Sequence, residues 1–196
     1  GRKEAGKAKK VANKSTKFKF EYLGRKGATK EELALHKLLK HGHETGNEGL
    51  LWLDKKYNQL LPFKTGTKNR VGIGEEVDML LNKSADSSII SIHNHPNSSA
   101  FSPEDLDVAC SYAAIDTLQV VGHDGTRYFM KIGGGNRPEL SYIRRIYDAY
   151  FAELIPQYRR QLNGEGSPAE ALKEITHIIN VRLSERFGWK YKRELP

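Results

Sequence analysis

Ser91-Ile92-His93-Asn94-His95-Pro96-Asn97-Ser98-Ser99-Ala100-Phe101-Ser102-Pro103-Glu104-Asp105 is the stretch on which the fold and the chemistry both turn. The β-branched run Ser88–His93 reads as a strand. On an extended chain alternate side chains share a face, so His93 and His95 present both imidazoles to one point in space. Pro96 stops the strand. After a loop of small residues, Ser102 has the type and position of a helix N-cap with proline just inside, and a helix is expected over Pro103–Ala114. Asp105 falls in its first turn, where the carboxylate can face back toward the strand end. Two neutral imidazoles and one carboxylate leave a fourth tetrahedral position for water, which is the donor set of a catalytic rather than a structural zinc centre. His-x-His alone is a weak signal, and Ser-x-x-Asp alone needs no more than a capping box. Their order and closeness favour the metal.

Outward from this segment, Leu33, Leu35, Leu38 and Leu39 recur at helical spacing with charges between them, which predicts an amphipathic helix from Thr29 to His41, stopped by Gly42. Leu50–Leu53 reads as a buried strand, Asp54–Asn58 as a turn and Gln59–Thr65 as a second strand. A short helix over Gly74–Leu81 follows. Leu118–Gly122 is expected as a strand, and Gln119–Val121 and Arg127–Ile132 as a hairpin around His123-Asp124-Gly125, since Asp-Gly is a strong turn signal. Interleaved strands and helices argue an α/β sandwich. Gly133-Gly134-Gly135 breaks the pattern. Pro138 opens a helical region to about Leu162 that Pro156 is expected to kink or divide, and Ser167-Pro168 caps a last helix to about Arg186. Tyr142, Ile146, Tyr150 and Leu154, with Ile175, Ile178 and Ile179, form apolar stripes expected to pack on the α/β body. The organisation is therefore a basic flexible lead-in over 1–16, a domain over 17–136 and a C-terminal helical extension over 137–196.

The 196 residues suffice for one well-buried domain. The single cysteine, Cys110, allows no internal disulfide and reads as a buried thiol. No apolar run is long enough to cross a bilayer, so no membrane partner is expected and the chain reads as cytoplasmic, or as delivered into a target cell within a larger protein. Opening on Gly1, it reads as a piece of a longer polypeptide. Of the net charge of +8, the first twenty residues carry +7, from Arg2, Lys3, Lys7, Lys9, Lys10, Lys14, Lys17 and Lys19 against Glu4. Lys7, Lys9 and Lys10 are the candidates for contact with nucleic-acid phosphates, and a solvated linker is the favoured reading of the same segment.

The His93-Asn94-His95-Pro96 and Ser102-x-x-Asp105 pattern resembles the signature of JAMM metallohydrolases, also called MPN or JAB. In that family a glutamate on an early strand, beside a Gly-Leu step, completes the site. Leu38-Leu39-Lys40-His41-Gly42 followed by Gly46-Asn47-Glu48-Gly49-Leu50-Leu51 is the counterpart here, which makes Glu48 the candidate general base, with Glu44, Glu75 and Glu76 behind it. The likeness covers about residues 29–132. The loop from His95 to Ser102 is one residue shorter, and the Glu48-Gly49-Leu50 spacing tighter, than in the familiar isopeptidases. The His-Asn-His-Pro form, with Val120-Val121-Gly122-His123-Asp124-Gly125, is similar to the RadC-like branch and to domains appended to phage head-morphogenesis proteins and polymorphic toxins.

The resemblance implies a JAB/MPN-like, cytidine-deaminase-like α-β-α sandwich with a mixed sheet and a C-terminal helical appendage. It also implies a Zn²⁺ ion held by His93, His95 and Asp105. Water would attack an amide or isopeptide carbonyl directly, with Glu48 moving the proton and the Ser102 hydroxyl supporting the oxyanion. The expected function is a zinc-dependent hydrolase of a protein or peptide, of effector or toxin type, with an immunity protein or the parent polypeptide as partner. The alternatives are a RadC-like nuclease or DNA-processing protein, and a non-catalytic phage or toxin-delivery module. Asn94, alternating away from the two ligands, is expected to brace the turn. His36, His41, His43, His123 and His177 are expected at the surface or behind the site.

Overall fold

The computed structural model describes residues 27–66 and 73–196. Lys7, Lys9, Lys10 and the lead-in 1–16 lie outside the described residues. In chain order the elements are α1 (Lys30–Thr45), β1 (Gly49–Asp54), β2 (Lys64–Thr65), α2 (Glu75–Lys83), β3 (Ile89–His95), α3 (Pro103–Ser111), β4 (Ile115–Gly122), β5 (Arg127–Lys131), α4 (Leu140–Leu162), α5 (Pro168–Phe187) and β6 (Lys190–Glu194). The strands form one mixed sheet in the order β2-β1-β3-β4-β5-β6. Only β3 and β4 run parallel, and their crossover is α3, as a parallel pair requires.

Alternation along the strands sorts the side chains between two cores. On one face Leu51, Leu53, Ile90, Ile92 and Val121 meet Ala34, Leu35, Leu38 and Leu39 of α1. On the other Leu50, Trp52, Leu118, Val120, Tyr128 and Met130 meet the buried stripes of α2 to α5. Helices thus cover both faces, giving an α-β-α sandwich. Each of the leucines that α1 seals against the sheet contributes about 1.5–3 kcal/mol by leaving water.

Several boundaries differ from the sequence reading, each for a local reason. Helix α1 passes through Gly42 and ends at Gly46, a left-handed C-cap at φ 71°. Gly42 is inside the helix because of what lies against it: a Cβ there would stand 2.2 Å from His123 Nε2 and 2.7 Å from Asn94 Nδ2. Of the strand expected over Gln59–Thr65, only Lys64–Thr65 and an isolated bridge between Leu53 and Gln59 form. Helix α3 stops at Ser111, and Arg137 occupies the carbonyls beyond it, donating to those of Tyr112 and Ile115 at 2.8 and 2.7 Å. Pro156 does not divide α4, which continues to Leu162; the carbonyl it leaves without a partner belongs to Ala152, an exposed residue that water reaches. The buried stripe of α4 is Ile143, Ile146, Tyr147 and Leu154, with Tyr142 and Tyr150 at its margin.

The C-terminal region is not a purely helical appendage. Its last strand, β6, pairs antiparallel with β5 across its whole length and forms one edge of the sheet. Its charged sequence, Lys190-Tyr191-Lys192-Arg193-Glu194, suits an edge that must discourage further pairing.

Candidate metal centre

The centre sits where β3 ends. Residues Ile89–His95 are buried throughout, and the pairing of Leu50 with His93 across β1 fixes which face the imidazoles take. His93, His95, Leu50 and, two residues before Leu50, Glu48 share that face. Helix α3 starts opposite. Ser102 is its N-cap in a reciprocal capping box, with the Asp105 amide donating to Ser102 Oγ at 3.2 Å and the Ser102 amide donating to Asp105 Oδ2 at 2.9 Å. The box holds the carboxylate turned back toward β3. Capping does not compete with ligation at Asp105, because the capping hydrogen bond turns the carboxylate toward the histidines.

His93 Nε2 lies 2.8 Å from His95 Nε2. Asp105 Oδ1 is 3.3 Å from His93 Nε2, and Oδ2 is 3.3 Å from His95 Nε2. This is a group whose three donors lie within metal-binding reach of one another. The edge of a tetrahedron with zinc-like bonds is about 3.3 Å; each imidazole stands at that distance from one carboxylate oxygen, His93 from Oδ1 and His95 from Oδ2, and the imidazole pair would need to open by about half an ångström.

The hydrogen-bonding roles make the same case. His95 Nδ1 lies 2.8 Å from the Ser99 carbonyl, which can only accept, so Nδ1 carries the proton and neutral His95 turns an Nε2 lone pair toward Asp105 and His93. Such a brace behind the ring is what fixes the tautomer of a metal-binding histidine. Burial lowers the His95 pKa, but the hydrogen bond and charge of Asp105 outweigh it and leave the pKa raised. Asp105 is held well below the usual carboxylate range, since the two imidazoles more than offset its burial. A cation bound by this cluster would displace a proton from it.

The loop that supplies the Ser99 carbonyl is anchored at several points. Ser98 takes the left-handed conformation at φ 59°, its Oγ accepts from the Asp124 amide at 3.1 Å, and its carbonyl accepts from Tyr128 Oη at 2.7 Å. It packs so closely on β4 that a Cβ at Gly122 would stand 2.7 Å from that of Ser98. One helix from beyond residue 137, α5, holds the rest: Thr176 Oγ1 accepts from the Ala100 amide at 3.1 Å, and Asn180 Nδ2 donates to the Phe101 carbonyl at 3.0 Å. The sequence reading gave Thr176 and Asn180 no role, because helical periodicity marks them only as polar positions on α5.

Glu48 is the only one of the four glutamate candidates that reaches the centre; Glu44, Glu75 and Glu76 are exposed on α1 and α2. Glu48 is 8 % exposed and lines a cleft of about 690 Å³ together with His93, Ser102, Asp105, Ser91 and Trp52. Burial raises its pKa, against the pull of the His95 and His93 charges. Ser102 Oγ accepts from Asp105, and no hydrogen bond from its own hydroxyl proton forms among the described residues. The remaining histidines divide. His123 is half-buried against the Asn94 amide, and that desolvation, with His43 close by, lowers its pKa to about 4. His41 Nε2 donates to the Glu48 carbonyl at 3.2 Å. His177 faces the Tyr191 hydroxyl at 2.8 Å, on the far side of α5. Cys110 is partly buried, and burial pushes its thiol up to about 12, so it is chemically quiet.

Among the described residues no helix is long and apolar enough to cross a membrane. Comparison with protein-family models, with curated proteins and with solved structures finds no match.

Proposed function

We propose that the chain is a zinc-dependent hydrolase of amide or isopeptide bonds, of the JAMM/JAB type, acting on a protein or peptide. The observation that carries this reading is the convergence of His93, His95 and Asp105 beside a cleft that His93 and Asp105 line together with the buried Glu48. Nitrogen and carboxylate donors in this number suit zinc and leave a position open. When bound, the ion supplies Lewis acidity toward water and the scissile carbonyl.

The chain's own residues do the rest. His95 is oriented by the Ser99 carbonyl and Asp105 by the Ser102 amide, so the donors need little rearrangement to bind. Glu48, kept from bulk water, takes the proton of the attacking water and returns it to the departing amine, a role for which a carboxyl with a raised pKa is suited. The Ser102 hydroxyl, accepting from α3 but free to donate, gives a hydrogen bond to the developing oxyanion. Leu50, Trp52, Val108, Leu118 and Leu140 give the cleft an apolar wall, and Glu104, Asp107 and Arg144 add charged groups to it, a mixed lining that suits an extended peptide segment.

Incubation with a pool of casein peptides, followed by mass spectrometry of new termini, tests the reading. Cleavage is expected with zinc present, and it should disappear on chelation and in Glu48→Gln. Absence of any zinc-dependent cleavage, together with unchanged bacterial growth on expression of the wild-type chain, overturns it.

A further inference from the structure

Asn94 lies between the two histidines of the centre, yet its side chain points through the opposite face of the sheet and is fully buried. Two of its side-chain hydrogen bonds go to the segment that carries Glu48. Its Oδ1 accepts from the Gly49 amide at 2.6 Å, and its Nδ2 donates to the Asn47 carbonyl at 2.9 Å. The amide orientation follows from chemistry: the Gly49 N–H can only donate and the Asn47 carbonyl only accept, so oxygen and nitrogen can be placed in one way. The second Nδ2 hydrogen faces His123 Nε2 at 2.8 Å, which must then be the accepting nitrogen. Gly42 of α1 closes over this contact, with no room for a Cβ.

The residue between these two contacts is Glu48. Its own carbonyl is fixed as well, accepting from the Gly66 amide at 2.9 Å and from His41 Nε2 at 3.2 Å. Three consecutive residues are thereby pinned by groups from β3, α1 and the end of β2, just before β1 begins its ladder with β3. A strand entry of this kind, beginning with the glycine pair around Asn47 and Glu48, would otherwise be free to fray.

We propose that Asn94, oriented by His123, is a positioning residue that sets the Glu48 carboxylate relative to His93, His95 and Asp105, so that one strand supplies the ligands on one face and aligns the base from the other. This inference rests on the reading of Glu48 as the base. It makes kcat depend on Asn94 while leaving the donors themselves in place. A displacement of about an ångström in a reacting group lowers the rate about 10²-fold. Asn94→Ala is therefore expected to lower kcat by roughly 10- to 100-fold, with KM little changed and zinc still bound at the wild-type stoichiometry.

A structural role alone would not predict the behaviour of the double variant. Because Asn94 acts through Glu48, Asn94→Ala should cost almost nothing further in a Glu48→Gln background, whereas a general loosening would apply the same factor in both. Asn94→Asp, of nearly the same size, keeps the acceptor for Gly49 and loses the donor to Asn47; it is the variant to use if Asn94→Ala does not fold, and it should show a smaller fall with the same non-additivity. Additive losses, unchanged kcat, or loss of zinc together with activity would each overturn the proposal. Hydrogen exchange of the Gly49 amide provides a readout that does not depend on turnover. It should be slow in the zinc-loaded wild type and fast in Asn94→Ala with zinc retained; equal protection in the two overturns the clamp. If Glu48→Gln alone leaves cleavage intact, the base assignment fails, and the exchange measurement still judges the clamp.

Discussion

Glu48→Gln should move activity and stability in opposite directions. The substitution preserves shape at a position only 8 % exposed and removes a charge that burial disfavours. The sign follows from the raised pKa: a carboxyl that is harder to ionise in the folded chain than in the unfolded one makes the fold less stable as pH rises from the unfolded value through the folded one. Above the folded value both states are ionised, and the full penalty applies. Removing the charge should therefore leave the stability of the metal-free protein unchanged or raise it. Activity should fall by about 10²–10⁴-fold, the usual worth of general acid–base catalysis, equivalent to roughly 3–5 kcal/mol of transition-state stabilisation. Urea denaturation of the chelated protein and peptide cleavage with zinc measure the two. A loss of stability above about 2 kcal/mol would mean that the carboxylate is a structural anchor, and wild-type turnover would mean that it moves no proton; either result refutes the reasoning.

Further outcomes follow from the same geometry. In the metal-free protein His95 has a raised pKa, so the stability its proton supplies is complete below the ordinary histidine value and is lost as pH rises through the raised one; Asp105, held low, supplies stability above the ordinary aspartate value that disappears on acidification. Denaturation curves should thus show the apo protein weakening above neutrality, and zinc, which replaces the proton, should remove most of that decline; a decline unaffected by zinc would contradict it. Ser102→Ala removes both a cap and a hydroxyl donor, and should cost about 0.5–2 kcal/mol of stability and lower kcat about 10- to 10²-fold, measured by thermal unfolding and cleavage. A Ser102→Gly variant, which retains most of the cap, should recover the stability but not the rate.

The parts of the fold written in local pattern were legible. The alternation through His93 and His95, the stop at Pro96 and the Ser102-Pro103 cap specify a strand, a turn and a helix start within fifteen residues, and that is enough to bring the donors together. What the pattern cannot carry is the partner of a residue far along the chain. Gly42 reads as a helix stop by its type, yet its role comes from His123 and Asn94 pressing on α1. Nothing near His123 announces a contact with Asn94, and nothing in α5 announces that Thr176 and Asn180 grip the ligand loop. The strand β6 escaped because an edge strand shows its alternation in charge and half-burial rather than in apolar residues. The phase of α4 was displaced toward Tyr142 and Tyr150, since a tyrosine at a stripe margin scores like one at its centre.

Zinc titration of the chelated chain, followed by calorimetry and elemental analysis, probes the centre most directly. Wild-type protein should bind about one ion per chain with release of protons, and His93→Ala combined with His95→Ala should bind none at the same concentration. Equal zinc content in the two proteins, or no uptake by the wild type, would contradict the account.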